Sequence, residues 1–271
     1  MAEHVAAGGS PLDFLAPPDW FSFSSLDTFE RCPRQYALRY LCRVPGEPSR
    51  PAAEFGSAAH AAFEMFTRGR RERRARGEGP PDRADLGRYF EIAWAASPLS
   101  REPDAETWRA RAEPMLDRFG EIESAGAGET IAEEIRFRLR LELDPQTRVA
   151  IGGFIDRVDR LPSGAVELID YKTGGAWGPE DVDSSLQLSI YALGCRDALD
   201  LGRPERVTLS FVEQGVQFSA ERTEEELDDL REGLALRARQ IRSSDFAPTP
   251  GRRACGWCDF AAICPVGERG L

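Results

Sequence analysis

At 271 residues with 41% hydrophobic side chains, the chain can bury the core of one large domain or two small ones. No run of 18 apolar residues occurs, which excludes a spanning helix of the usual kind, and MAEHVAAGGSPLDFLAPP lacks the basic start and apolar stretch of a signal peptide. A net charge of −11 opposes general attraction to nucleic acid, so any such contact needs basic side chains gathered locally.

Residues 1–20 are expected to form a flexible lead-in to a cytoplasmic protein, followed by a single domain over 21–271. Ser22 to Tyr40, SFSSLDTFERCPRQYALRY, reads as a helix capped by Ser24 or Ser25 that runs to Cys32, with Pro33 opening a second helix carrying Tyr36 and Tyr40. Glu54 to Phe66 is a small-residue helix with Phe55, Ala59, Ala62, Phe63 and Phe66 on its apolar face. It holds His60, one of only two histidines. The ring is either a ligand to metal or phosphate, or a packing histidine.

Arg68, Arg70, Arg71, Arg73, Arg74 and Arg76 then crowd one segment, as a basic patch or as a solvated loop. Residues 82–124 give two amphipathic helices around Tyr89, Phe90, Trp94, Trp108, Met115 and Phe119, scaffold without chemistry. Ile131 to Leu143 alternates as a half-buried strand, presenting Arg136, Arg138 and Arg140 on its wet side. Glu134, near its start, is an extra acid or simply faces solvent.

The most informative stretch is IGGFIDRVDRLPSGAVELIDYK, from Ile151 to Lys172. It predicts two strands joined by a turn at Leu161 to Gly164. Asp156 lies on the first strand, while Asp170 and Lys172 share a face of the second. Two carboxylates and an ammonium are what phosphodiester hydrolysis needs: hard oxygen ligands for Mg²⁺, and a cation near the attacking water. A surface hairpin with acids on its wet face is the other reading. Of the 35 basic side chains 34 are arginine, and Lys172 is the only lysine. A compact ammonium is not replaceable by a planar guanidinium fork, so its retention marks this position, unless base composition alone left it there.

Thr173-Gly174-Gly175 turns the chain, and Ser184 to Leu199 predicts a helix with Gln187 and Tyr191 on one face. Arg206 to Val212 and Val216 to Ala220 read as a hairpin, and Thr223 caps an acidic helix to Ile241 with Glu226 reciprocating. Near the end, PTPGRRACGWCDFAAICP sets Cys255, Cys258 and Cys264 as C-x2-C-x5-C, a spacing for ligation rather than burial. Cys32, Cys42 and Cys195 compete as the fourth ligand, and spacing does not choose.

Taken in order, SSLDTFERCP, GSAAH, GFIDRVD, DYKTG, QLSIY and CGWCDFAAICP resemble the PD-(D/E)XK nuclease superfamily. The resemblance is to its RecB-like branch, with the nuclease domains of RecB and AddB and the CRISPR-associated adaptation nucleases. It spans Ser24 to Pro265 and implies an α/β, restriction-endonuclease-like fold: a central mixed sheet flanked by helices, with a helical N-terminal portion. Strands are expected near 131–143, 149–160, 165–172 and 206–212. The resemblance makes His60, Asp156 and Asp170 metal ligands, with the Tyr171 carbonyl completing the site. It assigns Lys172 to the attacking hydroxide, and Gln187 with Tyr191 to substrate contact. It selects Cys32 with Cys255, Cys258 and Cys264 for a 4Fe-4S cluster, leaving Cys42 and Cys195 as ordinary cysteines. Ile155 departs from the proline of the superfamily name, but Gly153 to Asp156 fits the branch's G-x-x-D.

The implied activity is a Mg²⁺- or Mn²⁺-dependent deoxyribonuclease, an exonuclease on single-stranded DNA ends in repair or recombination. With its one lysine in DYKTG the chain has no Walker motif, so a helicase would act in trans. The rivals are a CRISPR adaptation nuclease trimming ends for an integrase, a non-catalytic DNA-binding clamp of a helicase-nuclease complex, and a structural zinc domain on the four cysteines. The cluster is expected to be structural, tying the N-terminal helix junction to the C-terminus.

Overall fold

The structure, a computed structural model, describes residues 18–46, 50–175 and 178–266, apart from the Arg253 side chain. Most of the expected lead-in, with His4, lies outside the described residues. Six strands form one mixed sheet: β1 (Trp20–Phe21), β2 (Glu129–Asp144), β3 (Thr147–Arg160), β4 (Val166–Lys172), β5 (Arg206–Phe211) and β6 (Val216–Ala220). Their order is β1-β3-β4-β5-β6, with β2 also paired to β3. The four expected strands and the second hairpin are present.

Alternation explains β2, where Phe137, Leu139, Leu141 and Leu143 are buried between exposed Arg136, Arg138 and Arg140. In β4 the run Val166 to Tyr171 is buried throughout, as befits a strand with neighbours on both sides and cover on both faces. It pairs antiparallel with β3 and parallel with β5. A parallel neighbour requires a crossover, which α6 (Pro179–Asp183) and α7 (Leu186–Ala198) supply.

The chain forms two compact units, one from Met1–Pro48, Arg140–Gly152 and Arg231–Leu271, the other from Ser49–Leu139 and Gly153–Leu230. In the first, α1 (Phe23–Arg31) is capped by Ser22, not by Ser24 or Ser25. Ser22 is extended, and Ser25 falls at the third helical position with its hydroxyl returning to the Ser22 N–H, a reciprocal cap in which serine replaces the usual glutamate. Pro33 opens α2 (Pro33–Tyr36) directly after Cys32, and the helix widens into a π turn over Ala37–Leu41. The Tyr36 ring is buried against Phe29, Tyr40 and Phe246.

In the second unit α3 (Pro51–Ala75), α4 (Arg83–Ala96) and α5 (Ala105–Ala125) build an apolar core against Ile169, Tyr171 and Val212. Phe63 and Phe119 stack with centroids 4.1 Å apart at its centre. The arginine cluster is neither a loop nor a free basic patch. It continues α3, with Arg70 paired to Glu123, Arg71 to Glu133, Arg73 to Asp85 and Arg74 to Glu129, at 2.9 to 3.1 Å. This is how an acidic chain uses a basic cluster for scaffold. No helix among the described residues is long and apolar enough to cross a membrane.

Candidate active site

The candidate site lies in the second unit, where the interior of β3 and the end of β4 meet α3 and α7. The β3–β4 ladder runs from Arg160↔Val166 to Arg157↔Ile169. One position further, Asp156 comes opposite Asp170. Asp156 Oδ2 accepts the Tyr171 N–H at 2.9 Å and lies 3.3 Å from His60 Nδ1. Asp170 is 2% exposed. Its Oδ2 stands 2.6 Å from Lys172 Nζ. Lys172 donates to Gln187 Oε1 at 3.0 Å, and Gln187 Nε2 donates to the Tyr191 hydroxyl at 2.7 Å.

Close packing sets α7 at that distance. A Cβ on Gly194 would come 2.5 Å from the Phe137 ring of β2, so only glycine lets the helix sit where Gln187 reaches Lys172.

Glu134 joins the cluster. One ligand atom each from His60, Glu134 and Asp156 lies within 4.8 Å of the others. Strand alternation, continued from Phe137 and Leu139, would turn Glu134 to solvent. A left-handed φ of 46° at Glu134 interrupts that alternation, and residues 131–135 are all of intermediate exposure. Of the two readings of Glu134, an extra acid or a solvent-facing one, the structure favours the first.

Burial, and then neighbouring charge, raises two of the acids. Burial and then the charge of Asp156 push the Asp170 carboxyl up to about 6, against the pull of Lys172. The Glu134 carboxyl rises to about 7 through burial, then through Asp156 and Glu64. For His60, burial works against the charged form, but the Asp156 hydrogen bond and the charges of Asp156 and Asp170 outweigh it and raise the imidazole. Burial raises the Tyr191 phenol. Closely set carboxylates and an imidazole nitrogen are a donor set that suits a divalent cation. Tyr171 turns its ring into the core and commits its amide to Asp156, leaving its carbonyl as the proposed remaining donor.

These shifts carry a sign. Asp170 and Glu134 keep, when folded, protons that an unfolded chain releases near 3.8 and 4.5. The stability they contribute is full below those values and is lost as pH rises through about 6 and about 7. Without metal the melting temperature is expected to fall on this account between pH 5 and 8, and Glu134→Gln to flatten the fall. Added Mn²⁺ should raise it more at pH 8 than at pH 5. A pH-independent gain from Mn²⁺ would contradict the assignment.

In the first unit, Cys32, Cys255, Cys258 and Cys264 line one small cavity, while Cys42 and Cys195 do not. All six thiols are free. The Thr249 N–H donates to Cys32 Sγ and the Gly251 N–H to Cys255 Sγ, both at 3.5 Å. Burial raises the Cys258 thiol, the Phe260 amide opposes this, and the other three sulfurs add to the rise. Buried Cys195 is pushed up to about 12 by burial alone.

A sequence model described as the PD-(D/E)XK nuclease superfamily matches residues 20–265. The chain is similar to the Gene 69 protein of Mycobacterium phage L5, 25% identical over 290 residues that span 90% of this chain and 96% of that protein. Among solved structures, the crystal structure of SSO0001 shares 14% identity at a TM-score of 0.41, over 94% of this chain and 90% of that one. Because the superfamily's sequence model matches residues 20–265, the chain belongs to the PD-(D/E)XK nuclease superfamily, metal-dependent nucleases that act on DNA.

Proposed function

We propose that this protein is a RecB-like, Mg²⁺- or Mn²⁺-dependent exonuclease of the cytoplasm that degrades single-stranded DNA ends in repair or recombination, with a helicase acting in trans. The observation that carries the reading is the convergence of His60, Asp156, Asp170 and Lys172, backed by Gln187 and Tyr191. A non-catalytic clamp would have little need to hold all of them in contact.

His60, Asp156, Asp170 and the Tyr171 carbonyl would hold the cation, which supplies Lewis-acid polarisation of a phosphoryl oxygen and offsets charge on the leaving oxygen. Lys172 stands where negative charge builds on the attacked phosphate and stabilises it. Gln187 fixes the ammonium, and Tyr191 fixes Gln187, so neither reorganises during the reaction. Asp170 sets the other side of the ammonium.

Phe154 supports the preference for unpaired strands. It lies two residues from Asp156 along β3, at ~3.3 Å per residue, and is 51% exposed between half-buried Gly153 and buried Ile155. An exposed ring there offers a stacking platform that paired bases do not reach. Phe154→Ala is expected to raise KM for single-stranded DNA at least about fivefold, the low end of stacking losses, with kcat little changed. Substrates with abasic sugars next to the cut should not distinguish the variant from wild type, and a KM that does not move would refute the platform.

We assign a 4Fe-4S cluster to Cys32, Cys255, Cys258 and Cys264. Four thiolates around one cavity fit such a cluster, which here would cross-link distant parts of the chain. Zinc is the rival ligand, and the metal content and visible absorbance of protein purified without oxygen decide between them.

The exonuclease reading rests on the order of the six motifs, and end dependence tests it. Linear single-stranded DNA labelled at either end should be shortened in the presence of Mg²⁺ or Mn²⁺, while a covalently closed circle of the same sequence survives. Equal loss of both would make the enzyme an endonuclease.

A further inference from the structure

Behind the candidate metal site lies a buried ion network that the proposed chemistry leaves unused. Arg157 is 3% exposed and Asp159 2%. The Arg157 guanidinium forks onto both Asp159 oxygens at 2.6 Å, pairs with Glu123 near the end of α5, and donates to the Tyr171 hydroxyl at 3.1 Å. Glu123 also takes Arg70 Nη1 at 3.0 Å, so two arginines balance two carboxylates. The backbone closes over this group at Gly128, where a Cβ would come 2.7 Å from Asp159 Oδ2.

Taking such charges out of water costs several kcal/mol each, and apolar residues of similar volume could fill the space at no loss of stability. The network therefore needs another reason to be there, and its attachment to Tyr171 supplies one. The side chain of Tyr171 lies on the opposite face of β4 from those of Asp170 and Lys172. Its ring sits against Phe63 and Phe119, with centroids 5.3 and 5.6 Å away, and its hydroxyl ends on Arg157. On the site's side its amide holds Asp156. One residue thus joins the network to the acids.

We infer that Arg157, with Glu123 and Asp159, is a positioning residue that fixes the Tyr171 peptide, and through it Asp156, for the divalent cation. The inference deepens the metal-site reading above and rests on it. Arg157→Met strips two buried carboxylates of their counter-ion and would mix folding with positioning. Tyr171→Phe is the decisive variant, because it removes only the tether and leaves the ion pairs standing.

The probe is Mn²⁺ alone, titrated by calorimetry into full-length protein purified without oxygen, with melting temperature read in the absence of metal. Tyr171→Phe should bind Mn²⁺ about tenfold more weakly, the low end of outer-sphere losses. Its metal-free melting temperature should fall by no more than about 4 °C, the value for one lost hydrogen bond. Wild-type affinity for Mn²⁺ in the variant, whatever its melting temperature, would reduce the network to a structural clamp. A wild type that binds no Mn²⁺, or an Asp170→Asn variant that binds it unchanged, would overturn the metal-site reading and this inference with it.

Discussion

Lys172→Ala is expected to keep its fold and to lose metal-dependent DNA cleavage by about 10²- to 10³-fold, the range for one charge-stabilising donor. The side chain is 28% exposed, so its removal leaves no large cavity. Its two contacts lie within the site, to Asp170 and Gln187. The Asp170 carboxyl, already raised to about 6, would climb further without its counter-ion. At neutral pH the variant should therefore need more metal as well as turn over more slowly. Lys172→Arg should not rescue it, because a planar fork cannot replace a compact ammonium between Asp170 and Gln187. Single-turnover rates at saturating Mn²⁺ separate the lost stabilisation from the lost metal. If either variant cleaved at the wild-type rate, Lys172 would be a structural ion-pair partner only.

Cys32→Ala should have the largest effect on stability. Cys32 and Cys255 are 223 residues apart (255 − 32), and a cross-link over a loop of that length removes about 5 kcal/mol of chain entropy from the unfolded state. At roughly 2–4 °C per kcal/mol for a chain of this size, the melting temperature should drop by about 10–20 °C. The visible absorbance of an oxygen-free preparation should weaken with it. Cys42→Ala, at a thiol outside the cavity, is the control and should change neither. A colourless wild type carrying zinc would remove the iron-sulfur assignment, and an unmoved melting temperature in Cys32→Ala would remove the cross-link.

Much of the sheet could be read from the residues because the β3–β4 and β5–β6 hairpins join strong strand patterns through turns that need a left-handed residue. Gly164 and Gly215 take φ of 87° and 67° at those turns. The pairing of Asp170 with Lys172 followed from strand period alone. His60 was different, since nothing local separates a ligand from a packing histidine, and only the ordered motifs pointed to it. Glu134 stayed open between an extra acid and a solvent-facing one, because its left-handed φ breaks the alternation that made the rest of β2 legible. The network around Arg157 was equally hidden: Glu123 is 34 residues away on a helix, and no pattern links it to a strand. Charge read from composition misled at α3, where arginines that suggest a basic patch are paired with acids from other elements.

The central claim is that the cluster of His60, Asp156, Asp170 and Lys172 cuts DNA with a divalent cation. The most direct measurement incubates end-labelled single- and double-stranded DNA with anaerobically purified wild type in Mg²⁺, Mn²⁺ or a chelator, beside Asp170→Asn. The account predicts shortening of the single strand in either metal, and none with the chelator or the variant. Intact DNA from a well-folded wild type in both metals, or cleavage that persists in Asp170→Asn, would contradict it.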